Sequence, residues 1–240
     1  MKKDGKKIGI LGYGEVGKAI AAFYKNPKIK DLNRDDGLKG VDIFHICIPW
    51  SNKFVFIVEK EINGLKPKIT IIHSTVAVGA TEKIGKKTKS LVVHSPVRGV
   101  HPNLYLGVKT FVKYIGADSK KAGVLAEKHL KSLGIKTKLF YPSATTEAIK
   151  LWDTTQYGWQ IVLNKEIKKW CAKNGLDFDK VYTEANKSYN DGYRKLGRPE
   201  VARPFLKHIP GKIGGHCIVL NCRILDSEIA KIILKKNISY

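Results

Sequence analysis

Carboxylates are scarce in this sequence: 21 Asp and Glu stand against 44 Lys and Arg, a formal charge of +23 over 240 residues. Such an excess attracts phosphates, anionic metabolites, nucleic acid or acidic membrane surfaces. The basic residues are scattered, however, and their densest cluster, Lys83 with Lys86, Lys87 and Lys89, is short. With no nucleic-acid motif alongside, the charge argues for a solvated surface and against a nucleic-acid face. Cysteine is sparse as well. Cys47, Cys171, Cys217 and Cys222 form no CxxC pair, which argues against a zinc site or a disulfide framework, so reduced thiols and no metal are expected. No apolar run approaches membrane-spanning length. The run Ile8-Gly9-Ile10-Leu11, behind a basic start, is too short for a signal-peptide core. A cytoplasmic protein without membrane association is the expectation. Internal repeats and low-complexity segments are also lacking, and with 43% apolar residues the chain can bury a sizeable core in one large or two small domains.

Short apolar runs alternate with longer mixed segments through the first part of the chain, the rhythm of βαβ units around a parallel sheet. Strands are predicted at 7–11, 29–32, 43–48, 69–73, 91–94 and 110–115, and helices at 16–24, 53–62, 81–86 and 120–133. After Tyr141-Pro142-Ser143 the pattern changes. From about Thr145 to Lys173 the only Gly or Pro is Gly158, and apolar residues recur at Ile149, Trp152, Trp159, Leu163, Ile167 and Trp170, which predicts one long amphipathic helix. Its tryptophans could form the seam of a homodimer through 145–173, and packing against neighbouring helices accounts for them equally well. A loop-rich tail and a last helix capped at Asp226-Ser227 and running through Ile233 complete the reading. The expected fold class is α/β. A doubly wound Rossmann-type parallel sheet over 1–142 is followed by a smaller, mainly helical substrate and dimerisation domain over 143–240.

Gly12-Tyr13-Gly14-Glu15-Val16-Gly17 follows the first predicted strand and opens the first predicted helix, the context in which a GxGxxG match carries weight. The first glycine permits a tight turn, the second lets main chain approach a pyrophosphate, and the third lets helix and strand pack closely. The phosphates would lie on the helix N-terminus. Asp31, at the end of the second strand, sits where a carboxylate is needed for the adenosine ribose diol, which favours NAD as the cofactor. Arg34 nearby is the residue that could instead accommodate a 2′-phosphate.

With these residues in place the chain resembles the UDP-glucose/GDP-mannose dehydrogenase family, within the 6-phosphogluconate-dehydrogenase-like group. The resemblance runs through Asp31-Leu32-Asn33 and through Asp42 to Pro49, with its Cys47-Ile48-Pro49 ending. It continues through Ser74-Thr75-Val76 with Gly79-Ala80-Thr81-Glu82, Glu147-Ala148-Ile149-Lys150-Leu151, and Pro210 to Ile218 around Gly214-Gly215-His216-Cys217. It implies an NAD-dependent oxidoreductase acting on the CH–OH or aldehyde group of an anionic, nucleotide-sugar-derived substrate. Ile48, Pro49, Ser74 and Thr75 would join the glycine motif at the cofactor. Cys217 would be the nucleophile that captures an aldehyde as a thiohemiacetal and then a thioester, and Lys150 would supply positive charge where oxygen charge develops. Gly214 and Gly215 would line the substrate.

The sequence also departs from that pattern. Where the family carries two glutamates four residues apart after His94-Ser95-Pro96, this chain has Val97 and His101. Thr154 stands where an asparagine is expected and Asn221 where an aspartate is expected. The missing carboxylates would organise water for thioester hydrolysis. Thr154 and His101 become candidate catalytic residues, His101 through its acid/base range, while Arg98 and Asn221 become candidate substrate ligands. His45, His73, His129 and His208 read as structural or surface groups. The family continues beyond the cysteine loop into a nucleotide-gripping domain, whereas this chain has 23 residues after Cys217. That implies a smaller substrate or a site completed by another chain. A non-catalytic NAD-binding or regulatory protein is the alternative these departures leave open.

Overall fold

The structure, a computed structural model, describes residues 5–215 and 217–240. The chain divides into two compact units, Met1–Lys150 and Leu151–Tyr240. In the first unit the elements run β1 (Ile8–Leu11), α1 (Glu15–Ala21), β2 (Lys28–Asp31), β3 (Arg34–Asp35), β4 (Ile43–Ile46), α2 (Phe54–Leu65), β5 (Ile69–Ile72) and α3 (Ala80–Thr88). They continue with β6 (Val92–His94), α4 (Leu104–Thr110), β7 (Lys113–Ala117), α5 (Lys120–Ser132), β8 (Thr137–Phe140) and the start of α6 (Ala144–Lys173).

The eight strands form one sheet in the order β3-β2-β1-β4-β5-β6-β7-β8. Pairing is parallel except at β2–β3 and β6–β7. The central strands β1, β4 and β5 are buried along their whole length, as strands covered on both faces must be. One apolar cluster joins the sheet to α1, α4 and α5 through residues such as Ile20, Leu104, Val108 and Leu130. The other joins it to α2 and α3 through Phe54, Val58, Ile62 and Ile84. The expected doubly wound α/β architecture is therefore present, with helices on both faces.

The predicted strand over 110–115 gives way to two elements. Leu104 and Val108, one helical turn apart, bury themselves as α4, and the strand begins only at Lys113. A Cβ on Gly107 would overlap the Arg98 carbonyl oxygen, so that glycine lets α4 pack against the preceding loop. The hairpin strand β3 and the parallel strand β8 lie outside the predicted set.

The second unit comprises the rest of α6, a π-helical stretch Asp179–Glu184 running into α7 (Ala185–Lys195), then α8 (Cys217–Ile224) and α9 (Glu228–Ile238). The tail read as loop-rich thus contains α7 and α8. The last helix begins as predicted, with the Ser227 hydroxyl accepting from the Ala230 N–H, and continues to Ile238. Gly158 explains its own presence in α6, because a Cβ there would stand 2.6 Å from Ile218 Cγ2. Val162, Ile213, Ile218, Cys222, Ala230 and Ile233 form the core of this unit. The irregular segment before α8 is pinned by side chains of α6 and α7. Asn164 donates to Leu206 O at 2.7 Å, Lys165 to Gly211 O at 2.6 Å, and Asn190 to Arg203 O at 2.8 Å.

A ladder of polar groups runs through the core of the first unit. Tyr24 lies 2.8 Å from His45 Nε2 and 2.7 Å from His129 Nε2, His45 Nδ1 lies 2.8 Å from His73 Nε2, and His73 Nδ1 lies 2.9 Å from Ser95 O. The carbonyl can only accept, so with His45 and His73 neutral the protons run one way: His129 donates to Tyr24, Tyr24 to His45, His45 to His73, and His73 to Ser95. Burial pulls His45 and His73 well below the usual imidazole range and takes His94 to about 3. Burial also lowers Lys113, whose ammonium reaches Ser95 O at 2.7 Å and Pro96 O at 3.1 Å, to about 7.

The unfolded chain binds protons at these histidines below about pH 6.5 while the folded chain does not, so the stability they contribute is full above that pH and is lost as pH falls. Each histidine contributes a slope approaching 1.4 kcal/mol per pH unit, so the loss is steep. Between pH 7 and 10.5 the Lys113 shift acts in the same sense, with stability rising as pH rises. Urea unfolding at pH 5, 6 and 7.5 checks this: the midpoint should drop sharply below pH 6.5, and a flat profile would contradict a neutral ladder.

Candidate functional site

The sheet changes winding direction between β1 and β4, and in open α/β sheets ligands bind outside the carboxyl ends of the strands at such a point. The glycine turn lies there. Gly12 has φ +92°, and a Cβ on it would stand 2.8 Å from both Cys47 C and Ile48 N, so the β1 and β4 ends touch through main chain. A Cβ on Gly17 would overlap the Gly12 carbonyl oxygen. Around Gly14 there is open space, so its main chain faces outward without obstruction. Val16 packs against the core on the α1 side. The three glycines thus divide into a tight turn, an unobstructed position and a close helix contact, in the order the motif requires.

Asp31, at the end of β2, accepts from the N–H of Tyr13 and from that of Leu32, which places its carboxylate beside the glycine turn. Arg34 forms a two-pronged pair with Asp36 at 2.7 and 3.0 Å and stacks over the Tyr13 ring. At the end of β5 the buried Ser74 hydroxyl donates to Ile48 O at 2.6 Å, drawing together two predicted cofactor positions. Thr75 is half-buried and Pro49 exposed.

His101 contacts the Glu15 carboxylate at the start of α1, so it stands at the glycine turn. Arg98 donates to Val112 O at 2.7 Å, and its guanidinium lies 4.0 Å from the Tyr114 ring centroid. Val97 is buried in the core. Neither position where the family resemblance implies a glutamate therefore offers a carboxylate. Lys150 donates to Val97 O at 2.9 Å.

The first turns of α6 and the residue before them hold the segments that leave β5, β6 and β7. Asp118, after β7, accepts from the Ser143 N–H and hydroxyl at 3.0 and 2.7 Å. His94 Nε2 donates to Ser74 O at 3.1 Å, which leaves Nδ1 to accept from the Thr146 hydroxyl at 2.8 Å. Glu147, fully buried, accepts from Gly79 N at 2.6 Å, Thr81 N at 2.9 Å and the Thr81 hydroxyl at 2.6 Å. Burial pushes this carboxyl up and its hydrogen bonds pull it back. In the sequence Glu147 stands out only as part of the Glu147-Ala148-Ile149-Lys150-Leu151 motif. The available signal was a carboxylate one turn before Lys150 in a chain short of acids.

In the second unit Asn221 donates to Thr154 Oγ1 at 3.0 Å, so the two positions that depart from the family pattern pair with each other. Cys217 is half-buried at the first turn of α8, one turn before the buried Asn221. Gly214 and Gly215 have open space around them, and Gly215 takes φ +77°. The three helix tryptophans separate: Trp159 packs into the core, while Trp152 and Trp170 are 44% and 55% exposed. Among the described residues no group of His, Cys, Asp and Glu could hold a metal ion, and no helix is long and apolar enough to cross a membrane.

These features are those of a doubly wound Rossmann-type α/β fold with a glycine turn at its switch point. No family model matches the chain. It is 27% identical to UDP-N-acetyl-D-mannosamine dehydrogenase of Pyrococcus horikoshii, over 91% of this chain and 54% of that protein. The chain therefore spans about half the length of this relative. Among solved structures, UDP-D-ManNAc dehydrogenase of P. horikoshii superposes with a TM-score of 0.77 at 20% identity, covering 96% of this chain and 68% of that one. UDP-glucose dehydrogenase of Pyrobaculum islandicum gives 0.78 at 14%, covering 100% and 70%. Mycobacterium tuberculosis 3-hydroxyisobutyrate dehydrogenase gives 0.70 at 13%, covering 96% and 91%. The resemblance to UDP-sugar dehydrogenases is borne out in sequence, and the fold in structure.

Open space at Gly14 and crowding at Gly17 separate ligand approach from packing. Gly14→Ala should change stability by no more than about 0.5 kcal/mol, whereas Gly17→Ala should cost about 1–3 kcal/mol by overpacking. Equal losses in thermal unfolding would contradict these assignments.

Proposed function

We propose that the protein is an NAD-dependent oxidoreductase acting on a CH–OH or aldehyde carbon of an anionic substrate, a nucleotide-sugar derivative by analogy with the P. horikoshii relative. The observation that carries the reading is the glycine turn with Asp31 beside it at the β1–β4 crevice. The residues present fit a dinucleotide. Exposed main chain at Gly14 suits a pyrophosphate, the Asp31 carboxylate suits a ribose diol, and Ser74 and Thr75 border the crevice from β5. Arg34, engaged by Asp36, is turned away from service to a 2′-phosphate, which favours NAD over NADP. When bound, the coenzyme accepts the hydride.

Lys150, held by Val97 O, offers an ammonium to developing oxygen charge. Cys217 is the nucleophile for an aldehyde carbon. Thr154 with Asn221 occupies the place of the family's polar pair and orders groups around the thiol by hydrogen bonding alone. Without carboxylates at Val97 and His101, hydrolysis of a thioester lacks its usual base. The same observation favours a second reading, an NAD-binding protein that has lost turnover.

Calorimetric titration with NAD should give a saturable heat that Gly14→Ala reduces by about tenfold or more, the loss of close main-chain approach. Turnover of UDP-N-acetylmannosamine should fall by at least about 10²-fold in Cys217→Ser and in Lys150→Met. Unchanged turnover in Cys217→Ser removes the thiol from the mechanism. Binding without turnover of any sugar nucleotide in the unsubstituted protein supports the second reading.

A homodimer through α6 is also proposed. Trp152, Leu163 and Trp170 lie along one exposed stripe of the helix. Sedimentation should give a dimer that Trp170→Glu dissociates, and a monomer before substitution would contradict the seam.

A further inference from the structure

We propose that Glu147 is a positioning residue of the candidate site, holding the Ser74–Thr81 segment and the Lys150 turn of α6 in one fixed relation. The proposal rests on the dehydrogenase reading above. Three observations on the first unit carry it. Glu147 is fully buried, yet its carboxylate takes three hydrogen bonds, all from Gly79 and Thr81 at the entry to α3. The opposite end of the same segment is held by the preceding residue of α6, as Thr146 donates to His94 and His94 donates to Ser74 O. One turn beyond Glu147, Lys150 reaches Val97 O at the end of β6.

Two adjacent residues of one helical turn therefore bracket the loop bearing Ser74 and Thr75, and the following turn carries the lysine. A helix is stiff over one turn, so a shift at Gly79 or Thr81 is transmitted to Lys150 and the reverse. A buried carboxylate is costly unless its hydrogen bonds are made, so the segment is confined to the one geometry that makes all three. Glu147 touches neither substrate nor coenzyme in this account and acts through the groups it holds.

The test compares Glu147→Gln, Thr81→Val, the double variant and Ser227→Ala, the last removing the α9 cap in the second unit as a control for general destabilisation. NAD binding is read by calorimetry, the hold by hydrogen exchange at the Gly79 and Thr81 amides, and turnover as kcat against KM. Glu147→Gln should weaken NAD by about tenfold and speed both amides, and the loss in the double variant should fall short of the sum of the two single losses, since the two residues share the Thr81 hydroxyl contact. In turnover, kcat should fall along with the rise in KM for NAD. Ser227→Ala, at matched loss of thermal midpoint, should leave NAD affinity unchanged.

Wild-type affinity in Glu147→Gln overturns the proposal even if the amides exchange faster, because the contact is then structural only. Weakening equal to that of Ser227→Ala overturns it as well. Absence of heat from the unsubstituted protein is instead the failure of the coenzyme reading, visible before any variant is compared.

Discussion

The contact of Gly12 with the Cys47–Ile48 main chain is the constraint on which the rest of the first unit depends. It brings the ends of β1 and β4 to van der Waals distance at the point where the sheet changes direction. A second close approach, Gly17 against the Gly12 carbonyl, seats α1 on the turn. With two of the three glycines committed to packing, only Gly14 is left with its face clear. The opening at the crevice therefore follows from steric necessity on either side of it, and Asp31 completes it by hydrogen-bonding Tyr13 within the same turn.

The second organising element is the start of α6. Side chains of four residues, Ser143, Thr146, Glu147 and Lys150, engage the chain beyond β5, β6 and β7. Gly116 permits the approach, since a Cβ there would stand 2.8 Å from Ser143 O. These bonds explain why the compact units divide at Lys150, inside the helix, although the change in sequence pattern falls at 142–143. Beneath this layer the neutral ladder from His129 to Ser95 and the buried Lys113 fix the loop that leaves β6.

The glycine turn, the central strands and the long helix were legible in the sequence because each rests on local rules: apolar runs for Ile8–Leu11 and Ile69–Ile72, a steric role for each glycine, and a helical period through Trp159 and Ile167. Elements set by tertiary context were not. Leu104 and Val108 form a helix only because Gly107 lets the 98–99 chain approach. The strand β8 gains its place by pairing with β7, and α7 with the π-helical stretch before it is coupled to the 203–206 segment through Asn190 and Tyr182. At the candidate site, residue types were readable but directions were not. Arg98 turns onto Tyr114, His101 onto Glu15, and Val97 into the core. The aromatic stripe of α6 divides in burial as well, with Trp159 packed against the core of the second unit and Trp152 and Trp170 exposed.

As proposed, the crevice is a coenzyme site shaped by missing side chains. A crystal structure of the protein grown with NADH tests it most directly. The pyrophosphate should lie on the main chain of Gly12–Gly14, with the adenosine ribose hydroxyls on the Asp31 carboxylate and the nicotinamide toward Ser74 and Thr75. A coenzyme bound elsewhere, or a crevice closed by side chains at saturating NADH, would contradict it.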